Sequence, residues 1–188
     1  MKFKLINTFI DDLFLIEIEN ITNDSRGMFA RLFCLNELNE IIGKRVIKQI
    51  NISKTLERGS IRGMHFQKPP MSEMKLVRCL KGEVWDVAID LRVQSKTYLK
   101  YYATKLSEEN MRMLAIPEGF AHGFQTIKDN TELLYLHTEI YSPEFESGIR
   151  FDDPAIKIDW PMNPINLSKR DMNHCLIDKN FEGINDEM

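Results

Sequence analysis

A chain of 188 residues with 43% hydrophobic and 28% charged side chains can bury one substantial core and reads as an ordinary soluble domain. Its formal net charge of −3 excludes a general nucleic-acid binder, which carries a basic stripe, but leaves room for a local Arg/Lys cluster that holds a small anion.

The N-terminal MKFKLINTFIDDLFLIEIEN alternates apolar and polar residues and carries Asp11 and Asp12 early. It has no apolar stretch long enough for a signal peptide or a membrane span. LNELNEII (35–42), closed by Gly43, predicts a helix. A run of strands follows. RVIKQINISKT (45–55) is rich in β-branched residues, and KLVRCL (75–80) and EVWDVAIDL (83–91) flank a hairpin-like break at Lys81-Gly82. TYLKYYATKL (97–106), RMLAI (112–116), AHGFQTI (121–127) and TELLYLHTEIY (131–141) complete the set, with breaks at Pro117-Glu118-Gly119 and Asp129-Asn130. A second short helix is expected in the polar C-terminal tail, which begins at about residue 172. Strands spaced by roughly ten residues predict an all-β sandwich or barrel with short peripheral helices. No linker or repeat divides the chain, so 1–188 is read as one domain. Cys34, Cys79 and Cys175 are far apart in sequence, with no Cys-x-x-Cys spacing, and predict free thiols in a reducing cytoplasm.

Strand parity sorts the side chains. In TELLYLHTEIY, Leu134, Leu136, Thr138 and Ile140 share one face, while Tyr135, His137, Glu139 and Tyr141 share the other. In IRGMHFQ, His65 and Gln67 lie opposite Met64 and Phe66. One face of the sheets thus gathers titratable groups, as a barrel mouth that holds a ligand would. His65, in GSIRGMHFQKPP, fits a metal ligand, a general base or a core residue equally well on its own. His137 is expected to be structural and partly exposed, and His174 to sit in the polar tail.

PEGFAHGF (117–124) contains Pro-x-Gly-x-x-His, which resembles the second motif of the cupin superfamily, with GMHFQ in the place of the first. A metal-binding cupin has a second His where this chain has Gln67, and a Glu closer than Glu73. His65, Glu73 and His122 make a ligand set only if that spacing is ignored, so no metal and no cofactor are expected.

Read in order, RGMHFQ (62–67), KLVRCLKGEVWDVAIDLR (75–92), IPEGFAHGF (116–124), LLYLHTEIYSPEFESGIRFDDPAIKIDWP (133–161) and LSKRD (167–171) resemble the dTDP-4-dehydrorhamnose 3,5-epimerase family, metal-free cupin enzymes. The resemblance implies a jelly-roll cupin and a homodimer with exchanged N-terminal strands. It also implies proton removal and return at C3 and C5 of a nucleotide-linked 4-keto-6-deoxy sugar. By the same resemblance His65 is the general base and Asp171 its partner carboxylate. Lys75 is the enolate-stabilising lysine, and Tyr135 is the acid on the opposite face. Asp86 and His122 match a second His–carboxylate pair, and Arg26, Phe29, Gln49, Asn51, Arg62 and Tyr141 match substrate contacts. Phe29 is expected to stack on the base across the dimer. The chemistry is coherent: a neutral imidazole accepts a proton near pH 7, and a cation must meet the enolate that forms. The chain departs from the family at Ser72-Glu73-Met74-Lys75, where a Gly normally precedes the lysine, and Glu73 is expected to face solvent or repel an anion. Still open are a single-site epimerase, a CDP- or GDP-sugar enzyme, a sugar-nucleotide ketoisomerase and a metal-binding cupin.

Overall fold

In the computed structural model, which describes residues 2–19 and 21–185, the opening alternation becomes β1 (Lys2–Asn7) and β2 (Phe14–Glu19), paired antiparallel. An exposed hairpin follows, β3 (Thr22–Asp24) and β4 (Gly27–Phe29). The expected helix shrinks to one turn, α1 (Asn39–Ile42), ended by Gly43 at φ +60°. No side chain caps its start, so the docking of Leu38, Ile41 and Ile42 onto the sheet holds it in place.

The strands then run β5 (Gln49–Thr55), β6 (Ile61–Gln67), β7 (Lys75–Lys81), β8 (Glu83–Asp90), β9 (Tyr101–Ser107), β10 (Met113–Ile116), β11 (Phe120–Thr126), β12 (Thr131–His137) and β13 (Glu146–Gly148). A last turn of helix, α2, spans Lys169–Met172. One sheet has the order β1-β2-β10-β7-β12-β5, the other β13-β6-β11-β8-β9, with every pairing antiparallel. The result is all-β, as the strand pattern predicts, in the jelly roll that the resemblance implies.

Two strands are shorter than their sequences suggest. β12 ends at His137 rather than residue 141 because its neighbours run out: β7 starts at Lys75, β5 at Gln49, and Thr138 turns to bond Met74. β9 starts at Tyr101 because Ser95 and Thr97 donate their hydroxyls to Asp90, folding the approach into turns.

Parity builds three apolar layers. Val77, Leu133, Val84, Phe124 and their neighbours fill the space between the sheets. Leu76 and Leu136, on the outer face of the larger sheet, are covered by α1 and its flanks, while Met64, Val87 and Ile89 are covered by the C-terminal segment. The interior is apolar at one end only. At the other end Lys75, Tyr135 and His137 come in from the larger sheet, and His65 and His122 from the smaller. Gly63 and Gly123 bring β6 and β11 together there. Gly63 has φ +118°, and a Cβ on it would stand 2.6 Å from the Gly123 Cα, so the strands meet only because neither residue has a side chain. His65 and His122 then stand opposite one another in register.

Candidate active site

The polar end of the barrel is a cavity of about 940 Å³, within the range that takes small-molecule ligands. Its lining includes His65, Asp171, Lys75, Tyr135, His122, Arg62, Asn51 and Tyr141 of the expected set.

α2 delivers Asp171. Ser168 caps the turn by accepting the Asp171 N–H at 3.0 Å, and this sets the carboxylate 2.9 Å from His65 Nε2. The Gly63 N–H donates to the other carboxylate oxygen at 3.4 Å. Asp171 is buried, which alone would raise its pKa. The hydrogen bond and charge of His65, with the Ser168 and Gly63 donors, outweigh that and hold the carboxyl well below its ordinary value. The stability Asp171 contributes is therefore complete above its unfolded pKa, about 3.8, and is lost as pH falls through the lower folded value. Between pH 5 and pH 2 the melting temperature of the wild type should fall faster than that of Asp171→Asn. Parallel slopes in thermal melts would contradict the pairing.

Arg170 approaches the same ring nitrogen, with Nη2 at 3.0 Å, while its Nη1 donates to Glu146 at 2.8 Å. A guanidinium only donates and a carboxylate only accepts, so the two contacts at His65 Nε2 are alternatives. With its proton on Nε2, His65 donates to Asp171 and keeps its lone pair on Nδ1.

Lys75 Nζ donates to the His65 carbonyl at 3.3 Å and pairs with Glu73 at 3.3 Å. Glu73 neither faces solvent nor stands as a bare charge in the cavity, contrary to both expectations for it. It is enclosed, accepts from His137 Nδ1 at 2.8 Å, and is balanced by Lys75. Burial pushes its pKa up, but the His137 hydrogen bond and the Lys75 charge bring it below the ordinary carboxylate value. Asn51 stands 3.4 Å from His137 Nε2. His137 is thus a buried cavity residue, not a partly exposed structural one. Parity had already placed it beside Tyr135, but the partner that buries it is 64 positions away.

His122 Nε2 lies 3.0 Å from both Asp86 oxygens, and both side chains are buried. The Tyr135 ring stacks on His137 at 5.9 Å and meets His122 edge-on at 6.0 Å. Burial, reinforced by the Asp86 charge, pushes its phenol well above the ordinary value, so it stays protonated. The structure does not gather His65, Glu73 and His122 into one donor cluster: Glu73 lies with Lys75 and His137, and His122 with Asp86. Gln67 is likewise occupied, donating to the Met71 and Ile140 carbonyls and accepting the Ser142 N–H at 2.6 Å.

Arg62 donates to Thr55 Oγ1 at 3.0 Å and to the Lys54 carbonyl, and faces the cavity. Tyr141 stands at the rim, its hydroxyl 2.7 Å from Glu146, while Gln49 accepts the Tyr141 N–H and holds that rim without lining the cavity. Arg26 and Phe29 do not reach the cavity of their own chain. Arg26 pairs with Asp24 in the exposed β3–β4 hairpin, and Phe29 is 67% exposed. His174 is not in a solvated tail: its ring lies 5.8 Å from that of His65, and burial with the nearby His65 charge lowers its pKa.

The model of the family described as dTDP-4-dehydrorhamnose 3,5-epimerase matches residues 7–179. An enzyme of that description from Salmonella typhimurium is 41% identical over 177 residues, covering 93% of this chain and 96% of the relative. A dTDP-4-dehydrorhamnose 3-epimerase from Streptomyces niveus is 38% identical over 155 residues, 82% of this chain and 74% of the relative. Among solved structures, the 3,5-epimerase of Bacillus anthracis with TDP and pyrophosphate bound superposes with a TM-score of 0.89 at 35% identity, covering 93% of this chain and 99% of that one. The Legionella pneumophila enzyme in complex with dTDP-4-keto-L-rhamnose gives 0.88 at 39% identity, with 93% and 92% covered.

Proposed function

This chain belongs to the dTDP-4-dehydrorhamnose 3,5-epimerase family, a family of isomerases, and on that footing we propose that its cavity takes a dTDP-linked 4-keto-6-deoxy sugar and inverts C3 and C5 without a cofactor. One observation carries the reading. His65 of the smaller sheet, paired with Asp171 of α2, and a protonated tyrosine of the larger sheet face a single cavity from opposite walls. Inversion beside a ketone needs that arrangement, because the proton leaves one face of the sugar and returns to the other.

His65 removes the proton, and Asp171 fixes the ring tautomer and stabilises the imidazolium that forms. The electron pair moves onto the C4 oxygen, where the Lys75 ammonium meets the enolate charge. Glu73 and the His65 carbonyl position that ammonium from two sides. Tyr135 returns a proton from the opposite wall. Arg62, which faces the cavity with donors to spare, meets the diphosphate. The buried His122–Asp86 pair holds the Tyr135 ring in place.

Lys75→Met should reduce kcat by about 10²–10³-fold with a smaller change in KM, because the lysine charge matters most once the enolate has formed. Steady-state kinetics check this, and deuterium wash-in should slow by the same factor.

We place the active form as a homodimer. β1 and β2 pair within this chain, and the projecting β3–β4 hairpin is the N-terminal element that we take to cross to the partner. Exposed Met28 and Phe29 on it, and Ile50 and Ile52 on edge strand β5, give a second copy an apolar surface to cover. Among the described residues no helix is long and apolar enough to cross a membrane, and the free cysteines support a reducing compartment such as the cytoplasm.

The test is incubation with dTDP-4-keto-6-deoxyglucose in deuterated water, followed by NMR of the sugar. Deuterium at C3 and C5 is expected. Label at C3 alone would reassign the chain as a single-site enzyme, as the Streptomyces niveus relative is named. No label would overturn the substrate.

A further inference from the structure

We propose that His65, Asp171 and His174 form a binding site for a divalent transition-metal ion, with zinc the best match, and that its occupancy switches the epimerase off. One donor atom from each residue lies within 4.8 Å of the other two. His65 Nε2 is 2.9 Å from Asp171 Oδ1, and His174 Nε2 is 4.0 Å from that oxygen. A tetrahedral zinc about 2.0–2.2 Å from each donor sets its ligand atoms about 3.4 Å apart, so sub-ångström adjustments close the shell on three protein ligands. Two imidazoles and a carboxylate are the donors zinc favours.

The independent observation is His174 itself. Its Nε2 is buried and has no hydrogen-bond partner, an arrangement that costs free energy unless something completes it. The ring is wedged against Gly148, where a Cβ would collide with it, and it meets His65 edge-on. The epimerisation as derived above does not use His174. Arg170 covers the open side of the cluster and reaches Asp171 Oδ1 with its Nε at 3.5 Å, but its side chain is half exposed and its Nη1 bonds, at 2.8 and 3.0 Å, run to Glu146 at the surface, so it can swing clear.

The consequence for activity follows from imidazole chemistry. A neutral imidazole has one lone pair and one N–H. A cation on one ring nitrogen takes the lone pair and leaves the proton on the other, so His65 can no longer accept a proton from the sugar. The binding stands on geometry alone, whereas the inhibition rests on the reading of His65 as the base.

The experiment uses the full chain with Cys175→Ser, which removes an exposed cysteine from the competition. Co²⁺ is titrated at pH 7.5 and followed by visible absorption, then displaced with Zn²⁺. Saturation at one equivalent with four-coordinate ligand-field bands is expected. Adding His174→Gln should weaken binding at least about 10-fold while metal-free epimerase activity is unchanged. Zinc should inhibit the parent, with a correspondingly higher concentration needed for the His174→Gln form. Absence of binding at micromolar metal, or equal affinity in the two proteins, overturns the site. Metal binding that depends on His174 but leaves activity intact overturns the inhibition alone and counts against His65 as base.

Discussion

His65→Asn should leave a folded protein that neither epimerises nor exchanges deuterium into its substrate, with kcat lowered by about 10⁴-fold. Asparagine is close to imidazole in reach and can donate to Asp171, so the buried carboxylate keeps a partner and the fold is spared. It has no basic nitrogen, so the step that breaks the C–H bond loses its acceptor. A 10⁴-fold loss corresponds to about 5.5 kcal/mol of barrier, which a positioning role alone would not supply. Single-turnover assays together with wash-in by mass spectrometry separate the cases. Near-normal wash-in would remove His65 from the mechanism, while loss of inversion with retained wash-in would move it to the reprotonation side.

Tyr135→Phe should produce that second pattern. With His65, Asp171 and Lys75 intact the enolate still forms, and His65 returns the proton to the face it came from. Deuterium enters with retention of configuration, and net epimerisation falls by about 10²–10⁴-fold. The substitution deletes one oxygen from a ring held between His122 and His137, so the packing is kept. Burial holds the phenol protonated across the working pH range, so the tyrosine arm should show no titration below pH 9 in the wild-type profile. Equal losses of wash-in and inversion in Tyr135→Phe would mean that the phenol acts on enolate formation instead.

The two variants together test a spatial claim, that base and acid stand on facing sheets. The fold makes this possible through strand order. β6 and β12 are adjacent to different neighbours in different sheets, and only their interior parity brings His65 and Tyr135 to one cavity. The Glu73–His137 pair belongs to the same wall. Glu73, two residues before the lysine, is a carboxylate that would be unfavourable alone, and the hydrogen bond of His137 and the charge of Lys75 stabilise it there.

How much of this was legible in the residues differs by element. Strands β7, β8, β10 and β11 lie within a residue of their apolar runs, because each has both neighbours present along its length and local pattern and pairing agree. The short helix α1 and the late start of β9 were not legible, since a docking surface and the Asp90 side chain decide them. The order RGMHFQ, KLVRCL, IPEGFAHGF, LLYLHTEIY, LSKRD carried the family and with it His65, Lys75, Tyr135 and Asp171. Parity alone put Tyr135 and His137 on the polar face, because a strand's period of two is a property of the backbone.

What the sequence by itself determined is therefore what depends on near neighbours: strand periodicity, turn positions and the motif residues. What only the tertiary structure decided is partnership. Asp171 meets His65 from 106 residues away, Glu73 meets His137 across 64, and His174 lies against His65 instead of in solvent. The hairpin with Arg26 and Phe29, by contrast, points away from its own cavity. The physical reason is that a charge or an imidazole has no preferred partner along the chain. Its state is set by whichever groups burial brings within about 3–4 Å, and sheet order, not sequence distance, determines which groups those are.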